Sequence, residues 1–483
     1  MREVLKEKIN LLWLKRDLRM SDHEPLFNAI EDNQKFIILY IYEPSLEGDP
    51  HYDKRHWRFI QQSLNDISKE LHKHKKRLTI AHGEAIDIFN NLLNTYSVSK
   101  VFSYEETGLA ISFRRDKILK KMFYENNISW HEYKNNAVIR GLKNRDNWEQ
   151  EWKKIMRQPI QKINLSHAKI IHQQFNLSKL TTYKLDDYFQ TGGFISAEKE
   201  VNNFFNVRGS KYHLYISKPE LSRKSCSRLS PYIAYGNISI RQVYQRLLEN
   251  WNRPGWRRAM RALSSRLHWH CHFIQKFETE MSMENQPIND GYLDFPYHVT
   301  SILHPDFKAW AKGQTGFPLI DASMRSLHKS GYLNFRMRAM VVSFACHYFM
   351  IHWKLVAEHL ARLFLDFEPG IHYPQIQMQA GITGINTIRV YNPIKQAQEH
   401  DSESIFIKKW VEELRSFNSD HILALPNNNY DLFSPDESYK KIKNDFQERI
   451  KVSKNLLWQW KKSTKVLKNN HKILAKHVKI NNN

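Results

Sequence analysis

The sequence predicts two structural classes in one chain: an α/β N-terminal doubly wound parallel sheet domain, followed by an all-α C-terminal domain. Three observations predict this. The first third alternates short apolar runs with helix-length stretches. Beyond about residue 200 the strand-like runs fade while helical periodicity continues. The length, 483 residues, has room for two or three domains.

Each element follows from its residues. Ile9–Leu14 (INLLWL), Lys35–Tyr42 (KFIILYIY), Arg77–Ala81 (RLTIA) and Lys100–Tyr104 (KVFSY) are short runs rich in β-branched and aromatic residues, as strands require. Between them, His56–His72 sets Trp57, Ile60, Leu64, Ile67 and Leu71 at three- and four-residue spacing, one face of a helix. Alternating β and α of this kind builds a parallel, doubly wound sheet. No GxGxxG follows the first strand, so a standard dinucleotide-phosphate loop is not expected there. Residues 148–204 are polar, with Pro159 and Gly192-Gly193, and read as a connector. Ser323–Leu333 and Arg336–Leu355 are long amphipathic stretches. The expected division is a sheet domain over 1–135, a connector over 136–199, a helical domain over 200–435 and a basic extension over 436–483. The extension carries an apolar stripe (Ile442, Phe446, Ile450, Leu456, Leu457, Trp460) and is expected to form a surface helix with a loose end.

Composition narrows the function. Lys plus Arg number 73 against 50 acids, a formal net charge of +23, which suits a polyanionic partner; DNA, RNA and an anionic membrane all stay open on charge alone. The three cysteines, Cys226, Cys271 and Cys346, make neither a disulfide framework nor a four-cysteine iron–sulfur site. A reducing, cytoplasmic setting is expected. MREVLKEKIN lacks an apolar core and no run of eighteen apolar residues occurs, so neither a signal peptide nor a membrane span is expected.

Five stretches can carry chemistry. WLKRDLRMSDHEPL (Trp13–Leu26) places basic residues directly after a strand; alone, it reads as a solvated βα loop. SRLSPYIAYG (Ser227–Gly236) is a helix start with Ser230 as cap and Pro231 in the first turn. RLHWHCHF (Arg266–Phe273) puts His268 and His272 on one helix face, but no second ligand cluster accompanies them, so no metal is expected. TGFPLIDASMRSLHKSGYLNFRMRAM (Thr315–Met340) reads as a helix from Asp321, closed by Gly331, leading into a second. LDFEPGIHYPQIQM (Leu365–Met378) follows.

These stretches, and the run from Trp310 to Pro393 most of all, resemble the flavin-cradling helical core of the cryptochrome/DNA photolyase family; the resemblance spans about Leu11 to Leu414. It implies an FAD-binding helical domain and an α/β domain able to hold an antenna chromophore, a folate or a deazaflavin, for which no identifying residue set is present. By resemblance, the turn Cys226, Ser227, Arg228, Leu229 and Ser230 holds the flavin pyrophosphate, and Tyr215 contacts the same end. Trp269 matches a residue lining the cofactor and substrate cavity. Arg266 stands where repair members commonly carry a glutamate touching the lesion. Arg338 matches an arginine lying along the flavin ring and paired with Asp366; a bidentate, desolvated pair there stabilises negative charge on the ring, whereas an ordinary interhelical salt bridge is the plainer alternative. Phe335, Phe367 and Glu368 belong to the same implied pocket.

The next segment departs from the family pattern. His372 stands where a residue faces flavin N5. Ile376 replaces the flavin-proximal tryptophan of the electron-transfer chain, and Met378 replaces a lesion-stacking tryptophan. Trp353 matches the middle tryptophan, so photoreduction would use Tyr373 or Tyr391 with Trp353. The leading expectation is a monomeric, blue-light-dependent carbon–carbon lyase, a DNA photolyase that repairs cyclobutane pyrimidine dimers by electron transfer from photoexcited reduced FAD. Arg336, Lys395 and Lys408 are the expected phosphate contacts. The dimer type follows from Asn334-Phe335, where enzymes acting on (6-4) lesions carry a histidine pair. The alternative is a cryptochrome-like blue-light photoreceptor, favoured by Arg266 and Met378; the plainest reading is a nucleic-acid-binding flavoprotein without photochemistry.

Overall fold

The computed structural model describes residues 6–426, 439 and 446–477. Five strands, β1 (Lys8–Leu14), β2 (Phe36–Tyr42), β3 (Thr79–His82), β4 (Ser97–Tyr104) and β5 (Ser129–Tyr133), make one sheet in the order β3-β2-β1-β4-β5. All pairings are parallel, and β6 (Ile170–Ile171) adds a rung beside Phe36–Ile37 of β2. Order reverses at β1, the doubly wound arrangement the alternation predicts.

The period of two along each strand explains why β2, and β1 beyond Asn10, are apolar on both faces. Ile9, Leu11 and Trp13 pack into one core with Phe89, Leu92, Leu119 and Phe123. Leu12 and Leu14 face a second core that contains Trp57, Leu64, Tyr232 and Tyr235. A parallel sheet covered on both faces needs this pattern. The second core is shared with the helical region, so one face of the sheet is also the domain interface. β5, the sequence SWHEY, escapes the sequence reading because it is a polar edge strand with only partial burial.

Boundaries move for local reasons. The helix expected over 56–72 spans Lys54–Lys73 because Asp53 and His56 form a reciprocal cap. The helix expected over Ser323–Leu333 spans Pro318–Ser330 and stops at Gly331, whose φ is +65°. The expected Arg336–Leu355 stretch is two helices, Phe335–His347 and Trp353–Leu363. Met350, at φ +52°, breaks it, and His352 caps the second piece by accepting from the Lys354 amide. The C-terminal segment is a helix pair, Phe446–Lys461 and Thr464–His477, where a surface helix with a loose end is expected. Phe446 packs against Phe317 with ring centroids 4.4 Å apart, Trp460 meets Phe295 at 5.4 Å, and Val466 is fully buried against Gly291. Ile442 lies outside the described residues. No helix among the described residues is long and apolar enough to cross a membrane.

The loop after β1 is the largest departure. Read alone as solvated, it has Asp17, Arg19, Asp22 and His23 buried. Arg16 donates to Ala234 O (3.1 Å) and Phe367 O (2.6 Å) and pairs with Glu368 at 3.2 Å. Arg19 reaches Gly236 O, and Asp22 accepts from Ser239 and Arg241. These basic and acidic residues are a staple between domains. Gly236, at φ +66°, receives the staple's backbone so closely that a Cβ there would lie 2.4 Å from Arg16 O. Gly236→Ala is therefore expected to cost about 2 kcal/mol or more, seen as a lower urea midpoint with unchanged far-ultraviolet circular dichroism at zero denaturant.

Candidate functional site

The stretches singled out above converge on one region. Arg338, on the Phe335–His347 helix, donates from one nitrogen, Nη2, to both Asp366 oxygens at 2.9 and 2.8 Å. The pair is thus single-pronged, not the two-pronged fork expected, because Nε is already committed to Leu333 O at 2.8 Å. The guanidinium also lies 4.1 Å from the Phe364 ring centre. Burial alone would raise the Asp366 carboxyl, but Arg338 and the Ser230 hydroxyl outweigh it and hold the group below the ordinary carboxylate value. Ser230 does not cap its helix as expected: the Ser230–Ala234 helix takes Leu229 as N-cap with no side-chain bond. Its hydroxyl instead lies close enough to Asp366 to help hold that carboxyl down.

The Cys226–Ser230 turn is crowded with guanidinium groups. Arg208 donates to the carbonyls of Cys226 (3.0 Å) and Ser227 (2.8 Å). Arg228 adopts φ +61° and stacks 3.6 Å over Tyr332; its buried Nη1 has no partner among the described residues. Arg223 lies over the same ring, and burial, then the nearby Arg228, pushes it down to about 10. The Cys226 thiol is pushed up to about 12 by burial, partly offset by Arg228 and Arg266, so it is no nucleophile. Cationic crowding around an unpaired, buried guanidinium nitrogen calls for an anion. Leu229 is buried and Tyr215 half-buried.

Arg266 and Trp269 lie one turn apart on the Arg257–Thr279 helix. Trp269 is 45 % exposed and Phe335, at the start of the Phe335–His347 helix, 44 %. Trp269 stacks on Phe273 at 5.4 Å. Met378 is half-buried and Ile376 buried. His268 and His272 pack edge-on against Trp148, away from any ligand geometry. Two of the expected cofactor contacts point their side chains elsewhere: Phe367 stacks on His51 (5.6 Å, 7°), and Glu368 pairs with Arg16 and caps the Pro369–Gln379 helix through the Gly370 amide. Their side chains fasten the domain interface, pulled there by Arg16. Of the expected phosphate contacts, Arg336 lies over Tyr391, Lys395 is exposed beside Glu399 and Lys408 half-buried. Sequence reasoning missed Arg208, Arg223 and Tyr332; only their clustering in space marks them.

His372 is buried and tied through Nε2 to Ala357 O at 2.8 Å. His56 is tied likewise to Phe364 O (2.9 Å) and His347 to Ala380 O (3.1 Å). Burial pushes these imidazoles down to about 3, 4 and 4, only partly opposed by the carbonyls. Unfolded histidine titrates near 6.5. As pH falls from about 6.5 towards 4 the unfolded chain takes up protons that the folded chain refuses, so stability is present above that window and lost through it. Urea midpoints are expected to fall continuously from pH 6.5 to 4.5, and His347→Gln, which keeps a side-chain amide donor, to flatten the slope.

For the ion pair, Asp366→Asn is expected to weaken FAD retention about tenfold by flavin fluorescence titration, with little change in folded secondary structure.

The family model described as "FAD binding domain of DNA photolyase" matches residues 263–459, and that described as "DNA photolyase" matches 10–153. Among curated proteins, the chain is 24 % identical over 457 residues to a cryptochrome DASH of Synechocystis, covering 85 % of this chain and 89 % of the relative. It is 25 % identical over 441 residues to a deoxyribodipyrimidine photo-lyase of Buchnera aphidicola, covering 86 % and 89 %. Among solved structures, an archaeal photolyase from Sulfolobus tokodaii, described with two FAD molecules, superposes with TM-score 0.80 at 22 % identity over 94 % of this chain and all of the other; the Synechocystis cryptochrome gives 0.83 at 19 % over 94 % and all of the other. A parallel sheet and a helical region of the right topology, with both family models matched in order, establish the conclusion: the chain belongs to the cryptochrome/DNA photolyase family and carries its FAD-binding domain.

Proposed function

We propose that the protein repairs cyclobutane pyrimidine dimers in DNA under blue light. The carrying observation is that two aromatic rings, Trp269 and Phe335, stay open, each one turn along its own helix from an arginine, Arg266 and Arg338. Burying such a ring is worth roughly 1.5–3 kcal/mol, so rings left open between otherwise buried helices favour a partner that covers them. A damaged base step is already weakly stacked, so turning it out of the duplex costs little, and each base stacked on an aromatic face gains about 1–3 kcal/mol.

The residues fit FAD. Arg228, with its unpaired buried nitrogen, and the Cys226–Ser230 turn would hold the diphosphate; Arg338 and Asp366 would flank the ring system. Bound FAD supplies the light-driven electron that opens the dimer. The chain's own work is to orient and to exclude water: Asp366 fixes Arg338, Trp269 and Phe335 offer stacking surfaces, and Arg266, Arg336, Lys395 and Lys408 are available to phosphates. The net charge of +23 supports a polyanionic partner. The Buchnera relative's name, deoxyribodipyrimidine photo-lyase, supports the same substrate.

A sensory role is the second reading, favoured by half-buried Met378 and by Arg266 at positions where repair members offer a ring and a carboxylate. The deciding assay illuminates FAD-reduced protein with oligonucleotides bearing a single cyclobutane dimer or a single (6-4) product, followed by chromatography. Light-dependent return of the cyclobutane dimer to pyrimidines is expected, with Trp269→Ala slowing turnover about tenfold or more. No conversion with fully reduced flavin would replace repair by the sensory reading.

A further inference from the structure

Three segments far apart in the chain bring buried positive charge together without a matching anion. Arg145 lies between β5 and the Trp148–Met156 helix, and only 5 % of it is exposed. Its Nη2 donates to His272 O at 3.3 Å, and its guanidinium carbon lies 5.0 Å from the Trp148 ring centre. Its Nη1 is buried and has no partner among the described residues. Lys276, 7 % exposed, stands one turn beyond His272 on the Arg257–Thr279 helix. It makes neither a hydrogen bond nor an ion pair among the described residues. His477, 4 % exposed, ends the Thr464–His477 helix, and its Nδ1 is buried without a partner among the described residues.

These groups act on one another. Burial, then Arg145, pushes Lys276 down to about 8, with Glu280 opposing. Burial pushes Arg145 down to about 10, and no carboxylate opposes it. His272 is pushed down to about 3 by burial first, then by Arg145, Lys276, His268 and His477, so it adds a neutral ring and no counter-charge. His477 is lowered by burial, which Glu280 opposes and Lys276 and Arg145 reinforce. Glu280 is the acid that reaches this cluster, and one of its oxygens is already held by Lys476 at 2.5 Å and His477 at 3.7 Å. Taking cations out of water is costly unless a counter-charge meets them, and two neighbouring cations repel each other as well. The cluster shares no residue with the Cys226–Ser230 turn or its arginines, so bound FAD leaves it uncompensated.

We propose that Arg145 and Lys276, walled by His272 and His477, bind a phosphate-class oxyanion where the Arg145 segment, the Arg257–Thr279 helix and the C-terminal helix pair meet. The chemistry selects the class. A free guanidinium nitrogen and an ammonium offer donors from two directions to separate oxygens of one tetrahedral group. A dianion matches two cations, whereas chloride matches one. The anion ties three segments together and stabilises the folded chain by mass action. The inference is independent of repair and of light.

The test uses full-length, FAD-loaded protein in phosphate-free buffer, its ionic strength held constant with potassium gluconate. Inorganic phosphate is titrated in and followed by phosphorus magnetic resonance line width and by the urea midpoint. Expected are saturable broadening and a midpoint that climbs with phosphate concentration. Arg145→Gln and Lys276→Met are each expected to weaken binding about tenfold or more. Lys276→Met carries a second signature: without phosphate its midpoint equals or exceeds that of the wild type, because an uncompensated buried charge is gone, and phosphate raises it far less. A merely structural lysine would give a lower midpoint and unchanged phosphate binding, which overturns the proposal. So does the absence of a saturable phosphate effect in the wild type, an equal effect of chloride, or full phosphate binding in both variants. Should Arg145→Gln fail to fold, the wild-type titration and Lys276→Met decide alone. An undamaged DNA duplex that displaces the bound phosphate identifies the source as a nucleic-acid backbone; phosphate that stays bound beside the duplex identifies a free anion.

Discussion

The site hangs on one guanidinium. Arg16 leaves the end of β1 and grips Ala234 O, Phe367 O and the Glu368 carboxylate, so one side chain fixes the Ser230–Ala234 helix relative to the segment carrying Asp366. Taking an arginine out of water is costly, and the cost is offset only when every donor meets an acceptor in good geometry. The surrounding loop meets that demand, with Arg19, Asp22, Ser239 and Arg241 all paired. The approach of Ser230 to the Asp366–Arg338 pair is downstream of this clamp. Its two halves come from different segments of the helical region, and the sheet domain holds them together.

The polar and apolar balance of the site points the same way. Arg208, Arg223, Arg228, Arg266 and Arg338 surround a turn whose nearest acids, Asp366, Glu200 and Glu220, are already engaged. An excess of partly buried cations is unfavourable unless an anion joins them. Beside it, two large rings stay open in a domain where most rings are buried. A diphosphate-bearing cofactor relieves the first imbalance, which is why the FAD-binding character of the domain fits the local physical chemistry; the open rings are left for the proposed substrate.

Much of this was legible in the sequence. The strands β1 to β4 and the helix around Trp57 follow from period and composition, most clearly β2, which is covered on both faces and apolar along its whole length. The Arg338–Asp366 pair was found through resemblance, and the geometry bears out their proximity while changing its form from a fork to a single shared nitrogen. What failed did so for local reasons. β5 is too polar to read as a strand. Met350 breaks a helix that hydrophobic spacing carries straight through. The Arg16–His23 loop looks solvated because nothing in its own residues announces the surface it meets.

By itself the sequence determined most of the order of elements, their apolar faces, the helix stop at Gly331 and the family, since these rest on patterns of residues near one another in the chain. The tertiary structure alone decided which polar groups meet: Arg16 with Glu368, Arg19 with Gly236, Asp22 with Arg241. Such pairs are separated by hundreds of residues, and no periodicity links them. Their meeting is set by how the sheet face and the helices dock, and the need to satisfy every buried donor then selects the partners.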